Sequence, residues 1–148
     1  MTKPRLAVRG LILLDNRLLM VNAWPGGKSD LLCAPGGGVE VGQSLPDNLK
    51  REVHEETGLG IEVGRMVLVN EFHDPTRAFH QVDLYFRCRL ISGDPHGVWR
   101  DPEGIVDQRM WLTRDQLESH RYKPDSLPKV AWGESDLAFY DPLEPIVR

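Results

Sequence analysis

The sequence has few cysteines, and they are not arranged to hold a metal or a disulfide framework. Cys33 and Cys88 are its two cysteines, and neither belongs to a CxxC or a Cys/His motif. Disulfide-stabilised small domains and structural zinc sites both depend on closely spaced cysteines. We therefore expect two reduced, partly buried thiols, as is usual in a cytoplasmic protein.

Long hydrophobic runs and clusters of basic residues are also missing. No apolar stretch reaches the roughly 20 residues of a membrane-spanning helix, and the opening MTKPRLAVRG has charges where a signal peptide needs apolar residues. The formal net charge is −4, which gives little affinity for nucleic-acid polymers. These absences predict a soluble, cytoplasmic protein with a small-molecule partner, no nucleic-acid polymer and no membrane. A homodimer stays open.

The 148 residues are enough for a single domain, spanning 1–148, that buries its own core. Apolar and alternating stretches predict strands, and a helical period with a capping residue predicts a helix. The predicted strands are 6–14, 18–21, 61–72, 79–91 and 106–112, with a short segment at 31–34. The predicted helices are 45–57 and 114–120, with a turn or two of helix near 135–140 in an irregular tail. The cluster PGGG, residues 35–38, is interpreted as a loop. This order predicts an α/β fold with helices packed on a mixed sheet.

Three glutamates near the end of the predicted helix share one face. Glu52, Glu55 and Glu56 stand at i, i+3 and i+4, on an arc of roughly 100°. Leu45 and Leu49 fall on the same arc, so we expect the carboxylates at the boundary of the core. Acidic side chains in a last helical turn oppose the helix dipole and repel one another. A divalent cation such as Mg²⁺ or Mn²⁺ would offset this cost. The spacing therefore favours a metal site, with a solvated acidic face as the alternative.

The segment from Gly37 to Leu59 resembles the Nudix box. The pattern of that box is G-x5-E-x7-R-E-U-x-E-E-x-G-U, where U is a bulky aliphatic residue. The matching residues are Gly37, Arg51, Glu52, Val53, Glu55, Glu56, Gly58 and Leu59. One position departs, because Gln43 stands where the pattern has glutamate. The resemblance implies the Nudix-type α/β/α sandwich.

The resemblance also implies a hydrolase that cleaves the pyrophosphate bond of a nucleoside diphosphate linked to another moiety X. Water would attack a phosphorus atom with the help of Mg²⁺ or Mn²⁺. Nucleotide sugars such as ADP-ribose, nucleoside triphosphates and dinucleoside polyphosphates all remain open as substrates. A nucleotide-binding regulatory module without catalysis is the alternative function, and a structural protein with an acidic helix is a third.

Individual roles follow from the resemblance position by position. Glu52, Glu55 and Glu56 would bind metal, and the backbone carbonyl of Gly37 would add a ligand. Arg51 would orient a glutamate through a charge-assisted hydrogen bond. The three glycines of PGGG would let the backbone approach a phosphate or an ion without an intervening Cβ; they are Gly36, Gly37 and Gly38.

Three further points stay open. The general base is either Glu52 or Glu103, with Asp101 and Asp107 as weaker candidates. Arg9 lies in an apolar strand, so it needs a partner, which is either a structural ion pair or a substrate phosphate. Several aromatic residues are candidates for stacking on a base, although core positions are commoner for such residues; they are Trp24, Phe72, Tyr85, Trp111 and Trp132. We expect Gln43 to influence the metal through hydrogen bonds and not as a direct ligand. We also expect the protein to be active.

Overall fold

A computed structural model describes residues 3–133 and 137–148. The strands in these ranges are β1 (Arg5–Leu14), β2 (Arg17–Asn22), β3 (Leu32–Cys33), β4 (Gly36–Gly38), β5 (Gly60–Asp74), β6 (Phe79–Ser92), β7 (Arg109–Leu112), β8 (Phe139–Tyr140) and β9 (Glu144–Pro145). The α-helices are α1 (Leu45–Thr57), α2 (Arg114–Leu117) and α3 (Leu127–Trp132), and a single 3₁₀ turn lies at Pro25–Gly27. No helix in the described ranges is long and apolar enough to cross a membrane.

The strands form a mixed sheet with helices on both faces. Its order is β3-β2-β1-β6-β5-β8, and β4, β7 and β9 pair with β1, β2 and β5. Strand β1 is antiparallel to β2 and parallel to β6. Leu49 and Val53 of α1 are buried in one hydrophobic cluster, whereas Leu127 and Val130 of α3 belong to the cluster on the other side. The predicted α/β fold with a mixed sheet is confirmed.

The first two strands form the predicted hairpin. Asp15 and Asn16 connect them, and both residues have positive φ, at 50° and 62°. Two successive positive φ values are typical of the tight turn whose twist matches that of paired strands. Leu14 is accordingly the register partner of Arg17.

Helix α1 has the predicted bounds, which local signals explain. The side chain of Ser44 accepts a hydrogen bond of 3.1 Å from the N–H of Asp47 at its start. Gly58 ends the helix with a φ of 76°, and its N–H donates to the carbonyl of His54 at 2.8 Å. Both ends depend on neighbours in sequence, so the helix was predictable.

The interpretation of residues 35–38 as a loop was wrong for the glycines. Gly36 to Gly38 form β4, in which Gly36 is the register partner of Arg9 and Gly37 that of Val8. A side chain on Gly36 would collide with the carbonyl oxygen of Val8. The glycines therefore allow a close approach to β1, which the local turn propensity of glycine did not indicate.

Two elements are shorter than predicted. Strand β7 begins at Arg109, because the backbone N–H groups of Asp107 and Gln108 donate to the side chain of Asn22, at 3.0 and 3.1 Å. Helix α2 ends at Leu117 instead of residue 120. The N–H groups of Ser119 and His120 donate to carbonyls three residues back, which tightens the chain into turns.

The helix expected near 135–140 was placed wrongly. Residues 135 and 136 lie outside the described residues, while Phe139 and Tyr140 form β8 beside β5. The helix of this region is α3, which begins at Leu127. The sequence analysis did not predict this helix, because Pro128 suggested irregular structure. Proline is nevertheless well tolerated in a first helical turn.

Candidate active site

A pocket of about 160 Å³ brings most of the predicted site residues together. Strands β1 and β4, the second half of α1 and the loop before β7 form its walls. The predicted residues that line it are Arg9, Gly36, Gly37, Gly38, Glu52, Glu55, Glu56, Asp101 and Glu103. Arg5 lines it as well and was missed by the sequence reasoning, because nothing local distinguishes it from a surface arginine.

The carboxylates of α1 lie at the edge of the core, as predicted from the helical arc. The side chains of Glu52 and Glu55 are 16% and 33% exposed. The Glu52 carboxylate lies so close to Gly37 that a Cβ at position 37 would collide with it. Gly37 therefore provides the space that Glu52 occupies in the pocket.

Arg51 holds two of the three glutamates. Its Nη1 lies 3.2 Å from Oε1 of Glu52 and 3.3 Å from Oε1 of Glu55. Hydrogen bonds from a charged guanidinium orient carboxylates more strongly than neutral donors do. The geometry expected for Arg51 is therefore present.

The opposite edge of the same guanidinium binds the segment that precedes α1. Nε of Arg51 donates to the side-chain oxygen of Gln43 at 3.2 Å, and Nη2 donates to that of Asn48 at 3.3 Å. Asn48 is buried, accepts from the N–H of Glu40 and donates to the carbonyl of Gly38, both at 2.9 Å. Arg51 thus links the carboxylates of α1 to the loop between β4 and the helix.

Glu56 lies in a different environment. Its Oε1 accepts a hydrogen bond of 2.8 Å from the N–H of Gly36. Burial raises the pKa of Glu56 to about 7, and the charges of Glu52 and Asp101 add to the rise, whereas Arg9 and the Gly36 N–H oppose it. Burial also raises the pKa of Glu52, against the influence of Arg51. The negative charge in this pocket is therefore only partly compensated by the protein.

Asp101 organises the loop that carries Glu103. It is 4% exposed, and its carboxylate accepts from the N–H groups of Glu103, Ile105 and Val106, at 3.0, 3.2 and 2.9 Å. Because these bonds occupy its oxygens, Asp101 is better suited to fixing the loop than to moving a proton. Glu103 is exposed, and its side chain has no hydrogen-bond or ion-pair partner within the described part of the chain. Asp107 does not line the pocket.

Trp99 anchors the same loop to the end of α1 and was missed by the sequence reasoning. Its Nε1 donates to the carbonyl of Glu55 at 2.9 Å. The indole lies against Gly58, where a Cβ would collide with it, and makes an edge contact with His54 at 5.4 Å between ring centroids. The packing of the loop on α1 brings Trp99 to this position, and its place in the sequence two residues before Asp101 does not indicate that contact.

Two arginines of β1 line the same pocket as the carboxylates. Nε of Arg9 lies 3.6 Å from the Asp83 carboxylate, and Nη1 donates to the carbonyl of Ala34 at 3.2 Å. Of the two partners considered for Arg9, the structure shows the ion pair with Asp83, and the substrate phosphate stays a prediction. Burial alone would lower the pKa of Arg9, but Asp83 and other neighbouring groups hold it above its ordinary value. Nε is buried and, among the described residues, has no hydrogen-bond partner.

Arg5 is held by the same polar chain. Its Nη1 donates to the side-chain oxygen of Gln81 at 2.6 Å, and the amide of Gln81 donates to Asp83 at 2.7 Å. A side chain on Gly38 would collide with the Arg5 guanidinium. Gln81 and Asp83 therefore fix both arginines beside the glycine strand.

A second cavity, of about 270 Å³, adjoins the carboxylate pocket. The two share Arg5, Arg9, Ala23 and Cys33. Three of the aromatic candidates line this second cavity, namely Trp24, Phe72 and Tyr85, and Phe79 lines it too. Trp111 and Trp132 lie elsewhere, where their indole N–H groups donate to the carbonyls of Pro95 and Asn16. We call the second space the aromatic cavity.

The carboxylate pocket fits a divalent cation in donor chemistry. Carboxylate and carbonyl oxygens are the ligands that Mg²⁺ and Mn²⁺ prefer, and the partly uncompensated charge of Glu52 and Glu56 favours a cation. Among residues 3–133 and 137–148, no three His, Cys, Asp or Glu side chains already converge as a metal-binding group. The hydrogen bonds of Arg51 and Gly36 hold the glutamate oxygens instead.

Comparisons with known proteins agree with the fold and the motif. A family model described as NUDIX domain matches residues 3–133. An ADP-ribose pyrophosphatase of Methanocaldococcus jannaschii is 31% identical over 91 residues, which cover 62% of this chain and 54% of that protein. A MutT-like protein of Streptomyces ambofaciens is 32% identical over 103 residues, which cover 70% of this chain and 59% of that protein. The chain thus spans little more than half the length of these curated relatives.

Solved structures show the same fold. A NUDIX hydrolase from Nitrosomonas europaea superposes with a TM-score of 0.71 at 20% identity, covering 99% of this chain and 80% of that one. A UDP-X diphosphatase superposes with a TM-score of 0.67 at 24% identity, covering 89% of this chain and 63% of that one. With the family match over most of its length, the chain belongs to the Nudix family, several members of which are named pyrophosphatases or hydrolases.

Proposed function

We propose that the protein is a metal-dependent hydrolase that cleaves the pyrophosphate bond of a nucleoside diphosphate linked to another moiety. The observation that carries the proposal is a single pocket lined both by acidic residues of α1, namely Glu52, Glu55 and Glu56, and by the basic residues Arg5 and Arg9 of β1. A metal-bound diphosphate needs acidic groups for its cation and basic groups for its phosphate oxygens. A cytoplasmic location, where nucleotides and Mg²⁺ are abundant, belongs to the same proposal.

Glu52, Glu55 and Glu56, with the backbone carbonyl of Gly37, would hold Mg²⁺ or Mn²⁺. Such an ion neutralises charge on the diphosphate and lowers the pKa of water. Arg51 orients Glu52 and Glu55 through its Nη1 contacts.

The basic residues of the pocket would bind the diphosphate of the substrate. Arg9 and Arg5 neutralise phosphate oxygens, because both arginines line the pocket and are held in place by Asp83 and Gln81. The glycine strand bounds the same space without side chains.

Glu103 is the group that we assign as the general base. Among the described residues, its carboxylate has no hydrogen-bond or ion-pair partner. Glu103 lines the same pocket as the three helix glutamates. It would take a proton from the attacking water, whose oxygen forms a bond to phosphorus while the bridging oxygen leaves with the electron pair of the broken P–O bond. Glu52 is the less suitable base, because Arg51 already binds its carboxylate.

The experiment is a hydrolysis assay on a panel of ADP-ribose, other nucleotide sugars, nucleoside triphosphates and dinucleoside polyphosphates. ADP-ribose comes first, because the M. jannaschii relative is named for it. Turnover should require Mg²⁺ or Mn²⁺, and ¹⁸O from labelled water should appear only on a phosphate. Undiminished turnover in excess EDTA, or label on any other atom, would reject the mechanism.

One observation favours the alternative of a nucleotide-binding module without catalysis. Arg51 binds the glutamates, and Gln43 adds no negative charge at the position where the box has glutamate. A protein that binds the panel compounds with metal, yet hydrolyses none of them, would establish this alternative.

A further inference from the structure

Part of the aromatic cavity lies outside the region that the family model matches. That match ends at residue 133. Four later residues nevertheless line the cavity, and they are Glu144, Pro145, Ile146 and Val147. A feature formed by residues beyond the shared domain is suited to a property in which family members differ.

Backbone hydrogen bonds hold these residues against the sheet. Strand β9 pairs in parallel with β5, where Glu144 is the register partner of Phe72. The N–H of Ile146 donates to the carbonyl of His73 at 2.9 Å. Upstream, the Asp141 carboxylate accepts from the Asn70 side chain at 3.0 Å. The segment is therefore an ordered edge of the sheet.

Arg148 fastens the last residue of the segment beside the cavity. Its Nη2 donates to the Asp74 carboxylate at 2.9 Å, and its guanidinium carbon lies 5.1 Å from the centre of the Trp24 ring. The indole N–H of Trp24 donates to the carbonyl of Val147 at 3.2 Å. Because Asp74 ends β5 and Trp24 follows β2, these contacts join the segment to two separate parts of the sheet.

The chemistry of the cavity suits a planar, polar-edged group. Phe72 and Phe79 offer aromatic faces, and Ile146 adds an aliphatic surface. Glu144 and Lys123 lie at the cavity as an ion pair of 3.4 Å, which provides an acceptor and a donor for the edge of a ring. A nucleoside base has this combination of apolar faces and a hydrogen-bonding rim.

We propose that residues 144–148, which we call the C-terminal wall, determine which nucleoside base the protein accepts. This inference rests on the proposed function, since it places the diphosphate in the carboxylate pocket and the base in the adjoining aromatic cavity. Arg5 and Arg9 line both spaces, which places the two proposed ends of the substrate next to each other. The wall acts on the choice of base and leaves the groups that act on phosphorus untouched.

The test uses ADP-glucose, GDP-glucose, UDP-glucose and CDP-glucose, which share the diphosphate and sugar and differ in the base. Ile146→Ala removes wall surface, and Arg148→Ala removes the contacts with Asp74 and Trp24. Arg89→Ala is the matched control, because it removes an exposed arginine whose ion pair with Glu62, at 3.0 Å, lies outside the cavity.

We expect the ratio of kcat/KM between the best and worst of the four compounds to fall about tenfold or more in both wall variants, the scale of changed contacts in an apolar pocket. For the best compound, KM should rise while kcat stays within about twofold, since the lost contacts are equal in ground and transition states. Arg89→Ala should behave as the parent. An equal loss of kcat/KM for all four compounds in the wall variants would overturn the proposal. The C-terminal wall would then have a merely structural role.

Calorimetric titration with the α,β-methylene analogues of ADP, GDP, UDP and CDP separates this inference from the proposed function. If the parent binds these analogues selectively but hydrolyses nothing, weaker and less selective binding by Ile146→Ala would support the wall while the hydrolase proposal fails. If the parent hydrolyses the panel and the variants keep its base preference, the wall proposal fails alone. A parent that binds none of the analogues would overturn the wall.

Discussion

Arg51 donates from Nε to the side-chain oxygen of Gln43 at 3.2 Å, while its Nη1 binds Glu52 and Glu55. One guanidinium thus connects the residue that departs from the Nudix box with two of the glutamates that match it. Since a neutral amide accepts a weaker hydrogen bond than a carboxylate does, the interactions of Arg51 with the two glutamates are stronger than its hydrogen bond to Gln43. We therefore expect the departure at position 43 to act on the proposed metal site through Arg51.

The first prediction is that Gln43→Glu tightens metal binding. A carboxylate at position 43 would compete for Arg51 and add negative charge beside the pocket. We expect the half-saturating Mg²⁺ concentration to fall by roughly three- to tenfold, for about 1 kcal/mol of added interaction. Activity should rise more at limiting Mg²⁺ than at saturation, as measured by metal titration of both proteins. An inactive parent that only Gln43→Glu restores would mean that the natural site is degenerate.

The second prediction concerns Glu56. Glu56→Gln should lower kcat by at least ~10²-fold at saturating Mg²⁺, because it removes a charge at the centre of the site. Glu62→Gln is the control, since Glu62 lies on the surface and pairs with Arg89. Steady-state kinetics of both variants provide the test, and a Glu56→Gln enzyme as active as the control would remove Glu56 from the mechanism.

The third prediction assigns the general base. Glu103→Gln should reduce kcat by ~10²- to 10⁴-fold. Its half-saturating Mg²⁺ concentration should stay close to that of the parent, because Glu103 is not among the proposed metal ligands. Asp107→Asn, in the same loop but outside the pocket, should change neither quantity. If instead Glu103→Gln keeps the kcat of the parent while Glu52→Gln loses it at saturating Mg²⁺, Glu52 is the base.

The fourth prediction is a pH dependence of stability in the absence of divalent metal. Burial raises the folded-state pKa of Glu56 to about 7 from an ordinary value of 4.5, so the folded protein binds this proton more tightly than the unfolded chain does. The contribution is fully present below pH 4.5 and is lost as pH rises through about 7. The loss should be about 3 kcal/mol, the scale of a shift of this size.

Thermal unfolding in EDTA between pH 5 and 8 measures this effect. The parent should lose stability with rising pH, and Glu56→Gln should flatten the curve because glutamine does not titrate. Excess Mg²⁺ should stabilise the parent most at the alkaline end, since the ion binds the deprotonated carboxylates. A parent curve that coincides with that of Glu56→Gln would contradict the prediction.

The sequence by itself determined the elements whose signals are local. The β1–β2 hairpin followed from Asp15 and Asn16, and the bounds of α1 followed from Ser44 and Gly58. The shared face of the three glutamates depends only on their spacing and the helical period. Each of these features is specified by residues that are close together in the sequence, so the sequence alone was enough to predict it.

Tertiary structure determined which residues share a pocket with those glutamates. Arg5 and Glu103 lie far apart in the sequence, and only the pairing of β1 with β4 and the packing of the 101–106 loop bring them to one pocket. The glycines of β4 looked like a loop, because their local preference for turns was overridden by a close approach to β1. The C-terminal wall reaches the aromatic cavity by pairing with β5, about 70 residues earlier in the chain. Contacts at such separations depend on sheet topology, which local propensity does not specify.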